Sequence, residues 1–425
     1  MNLGFFYENT GLPNMDCSRP DLGNPGVGGT QYCFLQLIYY LHQYRPEYTL
    51  TIYCIRDSQF PSGVNVNYVK DIKQAIANAT INKDDYLIVK ASDDTTLLEA
   101  IKQSKQKIIT WGHNYYFAPL ADYIAHSNNI VANIFVSKQQ YDRYIDHDII
   151  KKSTYIFNMI NDCFGNVVRI NDSNTVVYMG ALIPSKGFHQ LAKIWKSILK
   201  ECPKAKLKVL GSGNLYSRNA KLGSYGIADS NYEHQFMKYL TKKGEILPSV
   251  KFLGIVGQEK YEIFRTATVG VVNPSAKTET FGMGIAEMAT CKLPVVTLRK
   301  NGHPDLIIHK TTGLAETSLR KIKNSIITLL KNREYNDWLG NNAKNNVSSI
   351  SPDKIVPKWI SLFENLNNKN IDYFAIQKAS RPYSNNVKWL RIINRYFRYT
   401  LKLHFLPPVI CIETYTYNFL NKLKR

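Results

Sequence analysis

Between Asn273 and Ala289 the chain sets two carboxylates, Glu279 and Glu287, eight residues apart around Gly282 and Gly284. An apolar run, Val269–Val272, leads into this polar loop, and the glycines then open a helical pattern. Backbone N–H groups at a helix start, unobstructed at glycine, favour an anion such as a diphosphate, or sugar hydroxyls. One glutamate precedes the helix and the other falls within its first turns, so both can line a single ligand. Ionised carboxylates only accept hydrogen bonds, which suits the hydroxyls of a polyol. Taken alone, two acids and two glycines describe a generic strand–turn–helix unit equally well.

Three further sites carry weaker signals. Lys186 stands beside Gly187 at a strand–loop–helix junction, where a cation is a natural phosphate partner; the alternative is an ordinary exposed lysine. Gly26, Gly28 and Gly29 precede a helical pattern, and such a loop can approach a phosphate without side-chain obstruction. His113 follows a strand directly, although an unpaired histidine is often structural. Asp146-His147-Asp148 is a D-x-D triplet of the kind that holds a divalent cation in some transferases. It lies late in the first half, away from every phosphate-like loop, and reads as a solvated helix end, so no metal is expected. The acceptor pattern at Asn78–Thr80 is expected to be inert, because Met1–Glu8 reads as a buried first strand rather than a leader.

The elements that must position these residues alternate. In the first half, strand-like runs at Leu3–Tyr7, Leu50–Ile55, Tyr86–Lys90, Lys107–Trp111 and Asn133–Ser137 enclose helical stretches at Gln31–Leu41, Asp94–Ile101 and Gln139–Ile145, with Asp93 or Asp94 as an N-cap. A polar linker, Asn161–Asn174, follows. A second strand series comprises Val176–Met179, Leu207–Leu210, Val250–Leu253, Val269–Val272 and Pro294–Leu298. Such alternation implies mostly parallel sheets covered by helices, with a ligand beyond the carboxyl ends of the strands. From Asn386 onward eight basic residues meet one acid, Glu413. Arg391, Arg395, Arg398 and Lys402 share one helical face, with Trp389, Ile393 and Tyr396 beside it, the layout of an interfacial amphipathic helix. A terminal helix docked on the protein's own core, charges outward, is the alternative.

Composition narrows the class. The 425 residues are 44% hydrophobic and 20% charged, enough apolar material for more than one core, which excludes a disordered chain or a fibre. No apolar run reaches the roughly 20 residues of a spanning helix. Seven scattered cysteines without a C-x-x-C pair argue against a zinc site or a disulfide framework and fit a reducing cytoplasm. Lys and Arg number 54 against 33 acids, a net charge of +21 that points to an anionic partner. Nucleic acid is not expected, since the chain shows no nucleic-acid-binding signature and its basic excess is densest in the tail.

Pro274-Ser275, Glu279-x-Phe281-Gly282, Glu287-Met288-Ala289 and Lys292-Leu293-Pro294-Val295-Val296, in this order, resemble the retaining glycosyltransferases of family 4. Gly302–Ile307 and Thr312–Leu314 continue the pattern, and Met179–Phe188, Leu210–Gly213 and Lys251–Gly254 precede it in the expected order. The resemblance covers about Thr175 to Ala315. It implies an α/β GT-B fold, two Rossmann-like domains facing across a cleft, with a C-terminal helical extension. Residues 1–165 would form the acceptor-side domain, its long loop Asn9–Asn24 shaping the acceptor pocket, and 166–350 the nucleotide-sugar domain. Residues 351–385 would be helices packing back on the first domain, and 386–425 a basic amphipathic tail.

The resemblance further implies roles. Glu287 would hold the nucleotide's ribose, and Glu279 would contact the donor sugar, helped by the backbone of Thr280, Phe281, Gly282, Met283 and Gly284. Lys186 would bind the diphosphate and stabilise the leaving group, with Gly180 and Gly211 at neighbouring strand ends. Gly28 and Gly29 would approach the diphosphate from the first domain, and His113 would lie near the sugar. Where many relatives carry arginine this chain has Ala181; Lys277 is a candidate substitute by proximity in sequence. The implied activity is retaining, metal-independent sugar transfer from a nucleotide-sugar co-substrate, with no cofactor, to a glycan or lipid-linked acceptor. UDP-sugar is the expected donor, and the basic tail would meet an anionic membrane at the inner face of the cell membrane. A GT-B epimerase or phosphorylase is the competing enzyme class.

Overall fold

The computed structural model describes residues 1–12, 14–162, 169–170, 174–215, 220–380 and 387–423. Cys163, Asn386, Lys424, Arg425, most of the expected linker and the expected boundary at 165/166 lie outside these residues. The first sheet has seven parallel strands: β1 (Asn2–Tyr7), β2 (Thr49–Cys54), β3 (Asn65–Tyr68), β4 (Tyr86–Lys90), β5 (Ile108–Gly112), β6 (Ile130–Phe135) and β7 (Ser153–Tyr155). Their order is β3-β2-β1-β4-β5-β6-β7. Leu3, Phe5, Ile52, Ile88, Ile109 and Ile134 are fully buried, as expected where helices cover both faces of a parallel sheet.

Helices α1 (Gly29–Tyr44), α2 (Ile72–Ile81), α3 (Thr95–Gln103), α4 (Ala118–His126) and α5 (Lys138–Asp142) cover that sheet. Asp94 is the N-cap of α3, its carboxylate accepting from the Leu97 amide at 3.0 Å. The run expected at Asn133–Ser137 is a strand from Ile130 to Phe135; it stops before Ser137, which caps α5. Edge strand β3 is largely exposed and carried no apolar signal, and β7 is only three residues long.

The second sheet is also parallel, in the order β12-β9-β8-β13-β14-β15. Its members are β8 (Thr175–Met179), β9 (Lys206–Leu210), β12 (Val250–Gly254), β13 (Val269–Val272), β14 (Val295–Leu298) and β15 (Leu314–Glu316); β10 (Thr241–Lys242) and β11 (Glu245–Ile246) form a small hairpin. Around it lie α6 (Phe188–Glu201), α7 (Ser230–Leu240), α8 (Lys260–Thr266), α9 (Met283–Thr290), α10 (His303–Leu306), α11 (Leu319–Lys331) and α12 (Arg333–Val347). Helix α13 (Pro352–Asn367) then returns to the first domain, where Trp359 meets Trp111 edge-on at 4.8 Å between ring centroids. Two parallel-sheet domains thus face each other, as expected.

The tail, α14 (Lys388–Arg395), a π-helical turn at Tyr396–Thr400 and α15 (Val409–Lys422), packs on the first domain in a way that corrects the expectation. Most of its basic residues point inward: Lys388, Arg391 and Arg398 are buried, Arg395 is half-buried and Lys402 is exposed, while Trp389, Ile393 and Tyr396 are exposed. Lys388 Nζ sits 3.0 Å from Asp142 and donates to Gln139 at 2.6 Å. Arg391 pairs with Glu413 and lies 3.9 Å from Asp146, while Arg398 reaches Asp148 at 3.2 Å. Asp146-His147-Asp148 is therefore not a solvated helix end. Asp146 and His147 are buried, and Asp146 accepts from Asn394 at 2.8 Å and from the Val409 amide at 2.7 Å. The triplet is the acidic receptor of the tail, because buried cations persist only when paired.

Candidate functional site

A cleft of about 680 Å³ opens between the two sheets. Every residue singled out for the site lines it: Gly28, Gly29, His113, Gly180, Lys186, Gly211, Glu279, Thr280, Phe281, Gly282, Met283, Gly284 and Glu287. Two helices start there. The first turn of α1 follows Gly28, and that of α9 follows Gly282, which takes a left-handed conformation (φ 103°). A Cβ on Gly29 would lie 3.9 Å from Met283, so the two N-termini approach each other across the cleft. Each presents unpaired amide donors and a partial positive charge, a site suited to an anion. Asn24 shapes the first loop by accepting from the Gly26 and Val27 amides, both at 2.9 Å.

Lys186 reaches the cleft through tight backbone geometry. Gly187, at φ 71°, joins the lysine to α6, and a Cβ there would meet Ser275 at 2.7 Å. At the neighbouring strand end a Cβ on Gly211 would strike the Gly180 carbonyl at 2.0 Å. The Lys186 ammonium donates to Glu279 at 2.8 Å, and Asn273 donates to the same carboxylate oxygen at 3.0 Å. Burial pushes the Glu279 carboxyl up, but Lys186, His303 and Asn273 outweigh burial and hold its pKa down at about 2. It is an ionised acceptor at every physiological pH. The loop that presents it places Asn273, Ala276 and Thr278 at positive φ, conformations that non-glycine residues hold only when their surroundings fix them.

The domains touch at this loop. Thr280 Oγ1 donates to the His113 carbonyl at 2.7 Å, and the Thr280 carbonyl accepts from Ser137. His113 is buried, and burial, with Lys90 nearby, pushes its pKa down to about 3. The ring is therefore neutral, a polar cleft wall rather than a charge. Because the unfolded ring protonates near pH 6.5 and the folded ring does not, His113 stability is present above that pH and is lost as pH falls. We expect the melting temperature of the protein to drop less between about pH 7 and pH 5 in His113→Gln than in wild type. Parallel pH profiles of the two proteins would remove this account of the ring.

Sequence reasoning missed Lys260. Its ammonium lies 2.7 Å from Glu287, both side chains 5% exposed, and it lines the cleft. Nothing in its spacing distinguished it among the 54 Lys and Arg residues. Lys277, the expected substitute for arginine at position 181, is exposed and lies outside the cleft lining, which corrects that expectation. Ala181 itself is buried in the wall. The cations that do line the cleft are Lys90, Lys186 and Lys260. Among the described residues, Asp122, His147 and Cys411 could together hold a metal ion, but at the tail seam. There His147 uses both ring nitrogens, accepting from the Ile149 amide at 3.1 Å and meeting Asp122 at 3.0 Å.

Comparison with known proteins fits this geometry. Residues 162–346 match the family of group 1 glycosyl transferases. An uncharacterized glycosyltransferase of Methanocaldococcus jannaschii is 25% identical over 52% of this chain and 56% of its own length. The capsular polysaccharide biosynthesis glycosyltransferase CapM of Staphylococcus aureus is 24% identical over 44% of each chain. The chain thus spans about half the length of these curated relatives. Among solved structures, Anabaena HepE in complex with UDP-glucose has a TM-score of 0.62 at 16% identity, over 86% of this chain and 100% of that one. Sucrose-phosphate synthase from Thermosynechococcus elongatus has a TM-score of 0.65 at 14% identity, over 87% of this chain and 100% of that one. The second domain thus matches the group 1 glycosyl transferases, and the chain as a whole takes the GT-B fold.

Proposed function

We propose that this protein is a retaining transferase of family 4 that moves a sugar from a nucleotide diphosphate sugar, a UDP-sugar, to a hydroxyl of a cell-envelope glycan or lipid-linked acceptor. The observation that carries the reading is the meeting of two glycine-opened helix N-termini with Lys186 at one cleft wall. In that arrangement the diphosphate lies between the helix starts and Lys186, where cation and amides act on charge that develops as the phosphate leaves. Glu287, oriented by Lys260, accepts from ribose hydroxyls. Glu279, kept ionised, accepts from the hydroxyls of the transferred sugar. A carboxylate held at this low pKa is a poor proton store, which supports front-face attack with the leaving phosphate taking the acceptor's proton. No step in this scheme draws on a metal ion.

The acceptor reading rests on a second chamber of about 400 Å³ in the first domain, lined by Tyr7, Gln31, Phe34, Asp71, Lys90 and Asp94 among others. It shares Glu8, Thr30, Gln31 and Lys90 with the main cleft. Aromatic faces with interspersed carboxylates suit a sugar, which offers both C–H surfaces and hydroxyl donors. The UDP-glucose complex of Anabaena HepE supports uridine as the donor base.

The test is a thermal-shift panel of UDP, GDP and ADP with and without EDTA. A ligand at 100 times its dissociation constant stabilises the folded state by about 2.7 kcal/mol. UDP is expected to raise the melting temperature, GDP and ADP far less, with EDTA making no difference. A shift with GDP or ADP alone would reassign the donor, and a UDP shift abolished by EDTA would overturn the metal-independent reading.

A further inference from the structure

The tail is amphipathic in an inverted sense. A helix that docked only to complete a core would bury Trp389, Ile393 and Tyr396 and leave its arginines in water, since desolvating cations is costly. Here Lys388 and Arg391 are at most 2% exposed and Trp389 is 53% exposed. The second helix also turns large apolar side chains outward. Val409, Ile410 and Thr414 face the protein, while Ile412, Tyr415, Phe419 and Leu423, spaced three, four and four residues apart, form an outward stripe. Between the helices Leu401 is 47% and Phe405 is 80% exposed. So many exposed large apolar side chains within one tail segment mark a partner.

We propose that this outward face is a docking surface for an anionic lipid bilayer, entering the headgroup region edge-on. Composition and charge select the bilayer. Trp and Tyr prefer the boundary between headgroups and acyl chains, and amphipathic helices lie there with the apolar stripe down. Lys402 and Lys422 are exposed beside the stripe. Among described residues 387–423 the acid is Glu413, and it is engaged by Arg391 and Arg143. The free surface of the tail thus offers cations and no anion to a bilayer of negative surface potential. Among the described residues no helix is long and apolar enough to cross a membrane, and helices with an apolar stripe lie along the surface of one. The buried cations serve as fasteners: Lys388 to Asp142, Arg391 to Glu413 and Arg398 to Asp148 hold the helices with their apolar side out. This inference is independent of the sugar-transfer reading, because it concerns a face of the first domain and not the cleft.

Flotation of the full chain with vesicles tests it. Vesicles containing phosphatidylglycerol are expected to carry the protein, and phosphatidylcholine vesicles several-fold less. In about 1 M salt, where the screening length falls to about 3 Å, flotation with phosphatidylglycerol vesicles should fall to the phosphatidylcholine level and not to zero, as purely ionic adsorption would. The triple variant Phe405→Ser, Tyr415→Ser, Phe419→Ser alters exposed side chains, so it should keep the wild-type melting temperature while losing at least about tenfold in partitioning. Equal flotation of variant and wild type, or none of the wild type, overturns the proposal. So does a wild-type dimer in light scattering that the triple variant converts to monomer without any vesicle binding, which would assign the face to a second copy of the chain.

Discussion

Lys186→Ala is expected to lower turnover by about 10²–10³-fold, the usual cost of removing one preorganised group from developing negative charge. On the proposed reaction the loss should fall mainly on kcat rather than on KM for the donor, because charge on a leaving diphosphate grows toward the transition state. The fold should survive, since the Lys186 side chain is 20% exposed and sits at the cleft rim. A second consequence follows from its contact with Glu279. Without the ammonium, the strongest influence opposing burial of Glu279 is lost, so its pKa rises from about 2. A depressed carboxylate contributes stability that is present above its unfolded pKa and lost as pH falls through the folded one. Lys186→Ala should therefore shift the acid limb of both activity and stability to higher pH. Lys186→Arg keeps the charge but not the compact ammonium, and is expected to recover only part of the rate. Steady-state kinetics across pH decides; wild-type kcat in Lys186→Ala would remove the residue from the leaving-group role.

Glu287 calls for a different substitution. Its pairing with buried Lys260 means that alanine would strand an ammonium at 5% exposure, and the penalty of an unpaired buried charge would confuse binding with folding. Glutamine preserves an acceptor oxygen beside Lys260, so a weaker UDP-induced thermal shift in Glu287→Gln would read the proposed ribose contact, and an unchanged shift would remove it.

How much of this was legible in the sequence depends on the kind of signal. All strands of the two sheets except the short edge strands β3, β7 and β15 were readable, because parallel strands covered on both faces become continuous apolar runs, as in Val269–Val272. The site was readable because its geometry needs glycine at fixed places: Gly187 and Gly282 stand at positive φ, and position 211 has no room for a Cβ. Lys260 was not readable, since a partner 27 residues away leaves no spacing rule. The tail misled for a related reason. A helical wheel separates basic from apolar positions correctly, but it cannot say which side faces inward. That choice depends on Asp142, Asp146 and Asp148, some 250 residues earlier, and on a fold that brings three acids to one seam.

Arg391 is the residue on which that seam turns, and Arg391→Ala is expected to cost about 3–5 kcal/mol, the range for breaking a buried ion pair from one side. The side chain is fully buried, donates to the Arg143 carbonyl at 2.7 Å, and lies between Asp146 and Glu413. Its removal strands Asp146, which is itself fully buried and fixes the start of α15 through the Val409 amide. Glu413 keeps Arg143 at 2.8 Å, so the damage should centre on Asp146 and the helix it anchors. The expected readouts are a lower urea midpoint and early protease cleavage between α14 and α15. A compensated variant separates charge from shape: Arg391→Met with Asp146→Asn removes both members of the pair, and such replacements are often nearly neutral. If the double variant regains most of the lost stability, the tail is held by paired charge. If it is as unstable as Arg391→Ala, the tail is held by the packing of the arginine stem, and the acidic seam is incidental to its orientation.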